Sequence, residues 1–371
     1  MKLIILCGLL GLALASLPSY GRRDINEVEF RAEREFRYQF DGQLSTALPI
    51  SESQKAITRI QSLVTVQPES SEYWFRMQLR NLRWATSQEQ FDSLRVQPFE
   101  EMEQVELDKE QQRLLTLPIR FNYKHGLVGD IEFDGEDQVW SRNIKKSIIN
   151  MLQLNYIKKG VESREMTEEE TTYKNDYFTT VERTLEGECE VVYTRIEESK
   201  EFEQWTKSVN FEKCTVRPEV RYGRRFVEKC EECQKTVSDE KLSSTVMTFN
   251  VTRGQSENKF LIRDVELRSQ HLFAPVSEKN QLLVSYVYNK LNLIYAGEVE
   301  KTIEKINGEE KETLIYNSEM EIAEEKFAMT GDEKYLRHIP MWSNKVEIIK
   351  NIFNKMMKDI ESGVELETTH L

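Results

Sequence analysis

The sequence predicts a protein of the α+β class, mainly β: a large antiparallel, barrel-like sheet around one central helix, followed by the start of a helical region. Three observations carry this. From about Val28 to Glu325 apolar and polar residues alternate with period two, as strands with one buried face do. One internal segment, 141–156, gives up that period for helical spacing, and beyond about residue 331 apolar residues again recur at i+3 and i+4.

Taken in chain order, Met1 to Ala15 reads as a secretory signal, with a basic Lys2, an apolar run from Leu3 to Leu14, and small residues Ala13 and Ala15 before Ser16. About 12 apolar residues fall short of the ~20 that cross a bilayer, and no later stretch approaches that length. The expected product is therefore secreted, extracellular and without a transmembrane segment. Residues 16–330 form the expected β domain. Its strands include EFRYQF (Phe36, Tyr38, Phe40), SEYWFRMQLR (Tyr73, Phe75, Met77, Leu79), LPIRFNYKHG (Ile119, Phe121, Tyr123), LLVSYVYNKLNLIY and TLIYNSEMEI. Asp41-Gly42, His125-Gly126, Asp134-Gly135 and Asn307-Gly308 are the expected turns between strands.

The helix at 141–156 has Ile144, Ile148, Met151 and Leu152 at helical spacing, with Ile149, Leu154 and Tyr156 apolar on other sides. A helix apolar nearly all round needs enclosure, so it is expected to plug the curled sheet rather than lie flat on one face. Residues 160–187 are polar and aperiodic and are expected as a surface excursion. The region 331–371 begins a second, helical domain: Val346, Ile349, Phe353, Met356 and Ile360 line one face, and Asn344 with Glu347 can cap the start.

Removing 15 of 371 residues leaves 356, and with Lys2 gone 50 basic residues face 64 acidic ones, so the net charge moves from −13 to −14. Such acidity repels a phosphate backbone and excludes nucleic acid as a broad-surface partner. No GxSxG, HExxH, GxGxxG, P-loop or EF-hand pattern occurs, so no enzyme, metal or cofactor is expected. Four cysteines remain after Cys7 leaves: Cys189, Cys214, Cys230 and Cys233. In an oxidising compartment they imply disulfides. Three pairings are open, the simplest being Cys189 with Cys214 and Cys230 with Cys233. Asn250-Val251-Thr252 is a glycosylation sequon. Basic residues cluster at Arg217, Arg221, Arg224 and Arg225, with Lys207 and Lys213 nearby; they are either solvated strand ends or a docking patch for an acidic receptor.

LPIRFNYKHGLVGDIEFDGEDQVWSRNIKKSIINMLQL, GECEVVYTRI, WTKSVNFEKCTVRPEVRYG and FVEKCEECQK resemble the amino-terminal lipoprotein domain of vitellogenins, most closely those of nematodes. The resemblance implies lipid transport and a nutrient reservoir, with lipids and an oocyte receptor of the low-density-lipoprotein type as partners, and leaves a homo-oligomer open. It implies the pairs Cys189–Cys214 and Cys230–Cys233. It also implies a receptor-binding basic strand, which places that role on Lys207 and, more weakly, Lys213. The lipid-cavity sheets of the family have no counterpart in these residues, so bound lipid belongs to a longer chain. A free-standing secreted binding module that lacks the cavity is the rival expectation.

Overall fold

The structure is a computed structural model that describes residues 27–48, 54–71, 73–90, 96–156, 177–199, 201–216, 241–255, 259–273, 283–306 and 309–317. The leader, the basic cluster at 217–225, Cys230 and Cys233, Asn307-Gly308 and the helix expected after residue 331 lie outside these residues.

The strands are β1 (Arg34–Leu48), β2 (Gln54–Pro68), β3 (Trp74–Gln90), β4 (Glu103–Val105), β5 (Ile119–Lys124), β6 (Leu127–Asp134), β7 (Tyr177–Thr184), β8 (Gly187–Glu198), β9 (Phe202–Val216), β10 (Lys241–Arg253), β11 (Phe260–Phe273), β12 (Leu283–Glu298) and β13 (Glu309–Glu312). The helices are α1 (Lys109–Thr116) and α2 (Val139–Asn150). All strand pairings are antiparallel, in the order β13-β6-β5-β3-β2-β1-β12-β11-β10-β9-β8-β7, with β4 added on β3. The sheet curves without closing, the barrel-like form expected, and among the described residues β7 and β13 are its two edges. Only one backbone hydrogen bond among the described residues, Tyr316 N–H to Leu185 O at 2.9 Å, joins the chain beyond β13 to the turn after β7.

Alternation explains the concave face. Phe36, Tyr38 and Phe40 of β1, Phe75, Met77 and Leu79 of β3, and Ile119, Phe121 and Tyr123 of β5 point into one core with Phe249, Val265 and Leu291. Midway along β1 the buried parity changes, from Phe36, Tyr38 and Phe40 to Gln43, Ser45 and Ala47. The cause is a second, smaller core on the opposite face, where Phe99 and Met102 pack on Ile57 and Ala85. Asp41-Gly42 sits within β1 and is not a turn. Gly42 is needed there for space, because a Cβ would lie 2.7 Å from the Phe40 ring and 2.8 Å from Asn289 Oδ1. His125-Gly126 does form the expected turn, with φ of 52° and 82°, the positive values that a tight two-residue hairpin turn needs.

The central helix is shorter than its apolar pattern: α2 ends at Asn150, and Met151 to Tyr156 continue in non-helical form. Enclosure holds, since Ile148, Ile149, Met151, Leu152, Leu154 and Tyr156 are all buried in the main core. The turn at residue 151 lets the following segment run along the core, where Leu154 N–H bonds Gly126 O at 3.0 Å. Two other expectations change. TLIYNSEMEI is not a strand in its described part; Glu309–Glu312 just before it is. The surface excursion ends early, because Tyr177–Thr184 forms the edge strand β7.

Candidate functional site

The sequence-predicted site residues described by the structure converge on β8, β9 and β10. Cys189 and Cys214 are register partners on β8 and β9, and their sulfurs are bonded at 2.05 Å. The register slips on either side of Cys189, so the bridge fixes the alignment of two strands where the ladder is irregular. Lys213, one residue before Cys214, is exposed, and its ammonium lies 2.9 Å from Glu190. That contact and a hydrogen bond from Asn210 hold the Glu190 carboxyl below its usual range.

Lys207 is placed otherwise than expected. It is 0% exposed, because β9 alternates and Glu203, Trp205 and Lys207 all point inward. Its ammonium forms an ion pair with Glu182 on β7, donates to Gln153 O at 3.4 Å and lies 5.6 Å from the centre of the Tyr193 ring. Tyr193 in turn donates to Glu182 at 2.9 Å and accepts from Asn155 N–H at 3.2 Å. Burial, and then the charge of Glu182, push the Tyr193 phenol well above its ordinary value. Lys207 therefore cannot offer its charge to an acidic partner in this conformation; it binds β7, β9 and the segment after α2 together. Glu182 and Tyr193 were missed in the sequence. The only signal was an acid on the inward parity of an otherwise uncharged run, YFTTVE.

A second buried group sits on α2. Lys145 reaches Asp137 at 2.6 Å and Leu114 O at 2.8 Å. Lys146 reaches Glu312 at 2.7 Å, and Arg142 pairs with both Glu310 and Glu312. Burial raises the Asp137 pKa against the opposing pull of Lys145, and burial lowers that of Lys145. These basic residues are the polar anchors of an otherwise apolar helix.

Asn250 is half-buried on the outer face of β10. Its amide donates to Asp264 at 2.7 Å and accepts from Gln204 at 2.9 Å, so it bridges β9 and β11. Among the described residues no group of three or more His, Cys, Asp and Glu could hold a metal ion, and no helix is long and apolar enough to cross a membrane.

A curved antiparallel sheet, filled by its own helix and pinned by buried ion pairs, defines the class of fold, and its buried polar groups serve cohesion. The chain belongs to the vitellogenin N-terminal domain family, whose model matches residues 30–301. Vitellogenin-6 of Oscheius tipulae is 50% identical over 372 residues, covering all of this chain and 22% of the relative. Vitellogenin-6 of Caenorhabditis elegans is also 50% identical, over 380 residues, with the same coverage. A vitellogenin of Oncorhynchus mykiss is 29% identical over 44% of this chain. The chain thus spans about a fifth of the length of the curated relatives it matches. A solved structure described as lipid–protein interactions in lipovitellin shares the fold, with a TM-score of 0.63 at 17% identity, over 78% of this chain and 28% of that one.

Proposed function

We propose that this chain serves lipid transport and nutrient storage within a secreted vitellogenin-like protein, with the curved sheet as its receptor-recognition module. The observation that carries the reading is the 50% identity to nematode Vitellogenin-6 across the whole chain. The concave side is filled by buried side chains, so lipid is carried in a longer chain and this region supplies recognition. Lys213 is the docking residue in this reading, since its ammonium is exposed at the end of β9 while Lys207 is enclosed. Asn250 takes its glycan before β9 to β11 close over its amide; an unchanged mass after enzymatic deglycosylation would exclude this.

The test of the docking role is Lys213→Glu in the full secreted chain, assayed against a low-density-lipoprotein-type receptor at physiological salt. Weaker binding with an unchanged circular dichroism spectrum is expected, because a rim charge acts through electrostatic attraction. Unchanged binding rejects the site. Extraction of the purified full chain with organic solvent should release lipid; a lipid-free extract instead favours a stand-alone binding module.

A further inference from the structure

In the order of the sheet β9 and β10 separate β8 from β11, yet one side chain from β11 meets another from the turn that opens β8. Val265 and Leu267 of β11 fill the main core, and Ser269 and His271 continue their inward parity along the strand. His271 Nδ1 lies 3.0 Å from Ser243 Oγ on β10. Its Nε2 lies 2.9 Å from Ser269 Oγ and 3.7 Å from Glu186 Oε1, in the turn between β7 and β8. Phe211 of β9 sets its ring at 80° to the imidazole, with centroids 5.9 Å apart, and Ser285 is the register partner of His271 on β12. Among these described groups only Glu186 carries a charge. The two side chains are 27% and 30% exposed, so protons reach them while water screens them only in part. The same turn meets the seam of the sheet: Leu185 O accepts from Tyr316 N–H at 2.9 Å, and burial, then the charge of Glu186, raises the Tyr316 phenol.

We propose that His271 and Glu186 form a pH-operated clasp, in which a proton taken up by the imidazole creates an ion pair that ties β11 to the seam at Leu185 and Tyr316. The two serines permit both states of the ring, because a hydroxyl donates to a neutral ring nitrogen and accepts from a protonated one. Protonation therefore breaks neither contact and adds attraction only toward Glu186. A histidine ordinarily titrates at about 6.5 and a glutamate at about 4.3, so both partners are charged between those values. Above about 6.5 the clasp is uncharged on one side and slack. By linkage, a cation that gains a carboxylate partner on folding adds stability that is complete below its unfolded value and lost as pH rises through the folded one. The mouth of the sheet is thus drawn tighter when the chain moves from a neutral to a mildly acidic compartment, before carboxylates such as Glu203 give way at still lower pH.

The experiment follows hydrogen exchange in the full secreted chain at about pH 8 and about pH 5.5, either side of the histidine range, with each rate divided by the intrinsic rate at that pH. Protection of the Tyr316 amide and of the turn at Leu185 should rise about two- to fivefold on acidification, the range of a partly exposed ion pair. His271→Gln keeps a side chain that can donate and accept toward the two serines but cannot take the charge, and Glu186→Gln removes the carboxylate alone. Both should keep the circular dichroism spectrum of the parent and lose the rise. Amides in the middle of β1 and β12, which a 14-residue register holds together, should show no such change in any of the three chains. A parent whose protection at Tyr316 and Leu185 stays level between the two pH values overturns the proposal. A rise that persists in either variant overturns it too, because another titrating group then tightens the seam.

Discussion

At the scale of single residues, the enclosed charges decide how this molecule tolerates substitution. Lys207 and Glu182 are both nearly inaccessible, and each is what makes the other tolerable in the core. Lys207→Glu would set two carboxylates together beside Tyr193, and Lys207→Met would leave Glu182 buried without its cation; each should cost about 3–5 kcal/mol. Lys207→Met combined with Glu182→Gln removes both charges and should recover most of that loss, as replacement of a complete buried pair usually does. Urea midpoints of the three variants check this, and equal losses in the single and double variants would show that the pair is not coupled. Glu203 gives the acid limb. Burial raises its pKa, but hydrogen bonds from Trp205, Tyr156 and Arg253, with the charge of Arg253, outweigh this and lower it. A carboxyl with a depressed folded pKa contributes stability that is complete above its unfolded value, about 4.3, and lost as pH falls through the folded one. The urea midpoint of the parent should therefore fall below about pH 4.3, and Glu203→Gln should flatten that fall; parallel curves would assign the acid loss to other groups.

At the scale of elements, legibility followed periodicity. β3 and β5 were readable because Phe75, Met77 and Leu79, and Ile119, Phe121 and Tyr123, keep one parity and reach one core. β7 was not, since its inward residues include Thr180, Glu182 and Thr184, and a strand whose buried side is satisfied by an ion pair leaves little apolar signal. Asp41-Gly42 looked like a turn because local preference cannot see that Phe40 and Asn289 crowd the glycine from neighbouring positions of the sheet. The end of α2 was overrun because the apolar pattern continues through Leu152, Leu154 and Tyr156, although burial there is met by a turn and irregular chain. Of the site residues, Cys189 and Cys214 were visible from count and compartment, whereas the burial of Lys207 depends on strand parity and on a partner 25 residues earlier. The enclosure of α2 has a direct test. Ile148 is 0% exposed within the main apolar core, and Lys145 one turn earlier is already paired with Asp137, so Ile148→Asp would bury a carboxylate without a cation of its own. That variant should fail to be secreted; secretion at the parent level would mean that the helix can leave the sheet.

At the scale of the whole molecule, an open sheet whose described residues form thirteen strands has to be held in its curve by something other than a closing ladder. The chain from Glu309 to Asn317 does this through α2. Arg142 and Lys146 grip Glu312 at 2.8 and 2.7 Å, Lys146 also donates to Ile315 O at 2.7 Å, and Asn143 exchanges hydrogen bonds with Asn317. Leu314 enters the main core between them, and Tyr316 then reaches Leu185 across the seam. Glu312 is the common acceptor, so Glu312→Ala strands Lys146 with a single carbonyl and leaves Arg142 with Glu310 and, at 3.4 Å, Asp134 O. Because β13 pairs, among the described residues, only with β6, the loss should stay local rather than spread through β10, β11 and β12. Hydrogen exchange should then quicken at β13, at Tyr316 and along β6, while the amides of β10 to β12 keep their protection. Glu312→Leu with Lys146→Met should restore slow exchange at the seam, since no buried charge is left unpaired. A uniform loss of protection across every strand would show that the curve is maintained by the sheet itself, and the α2 anchors would then be consequences of the fold rather than its clasp.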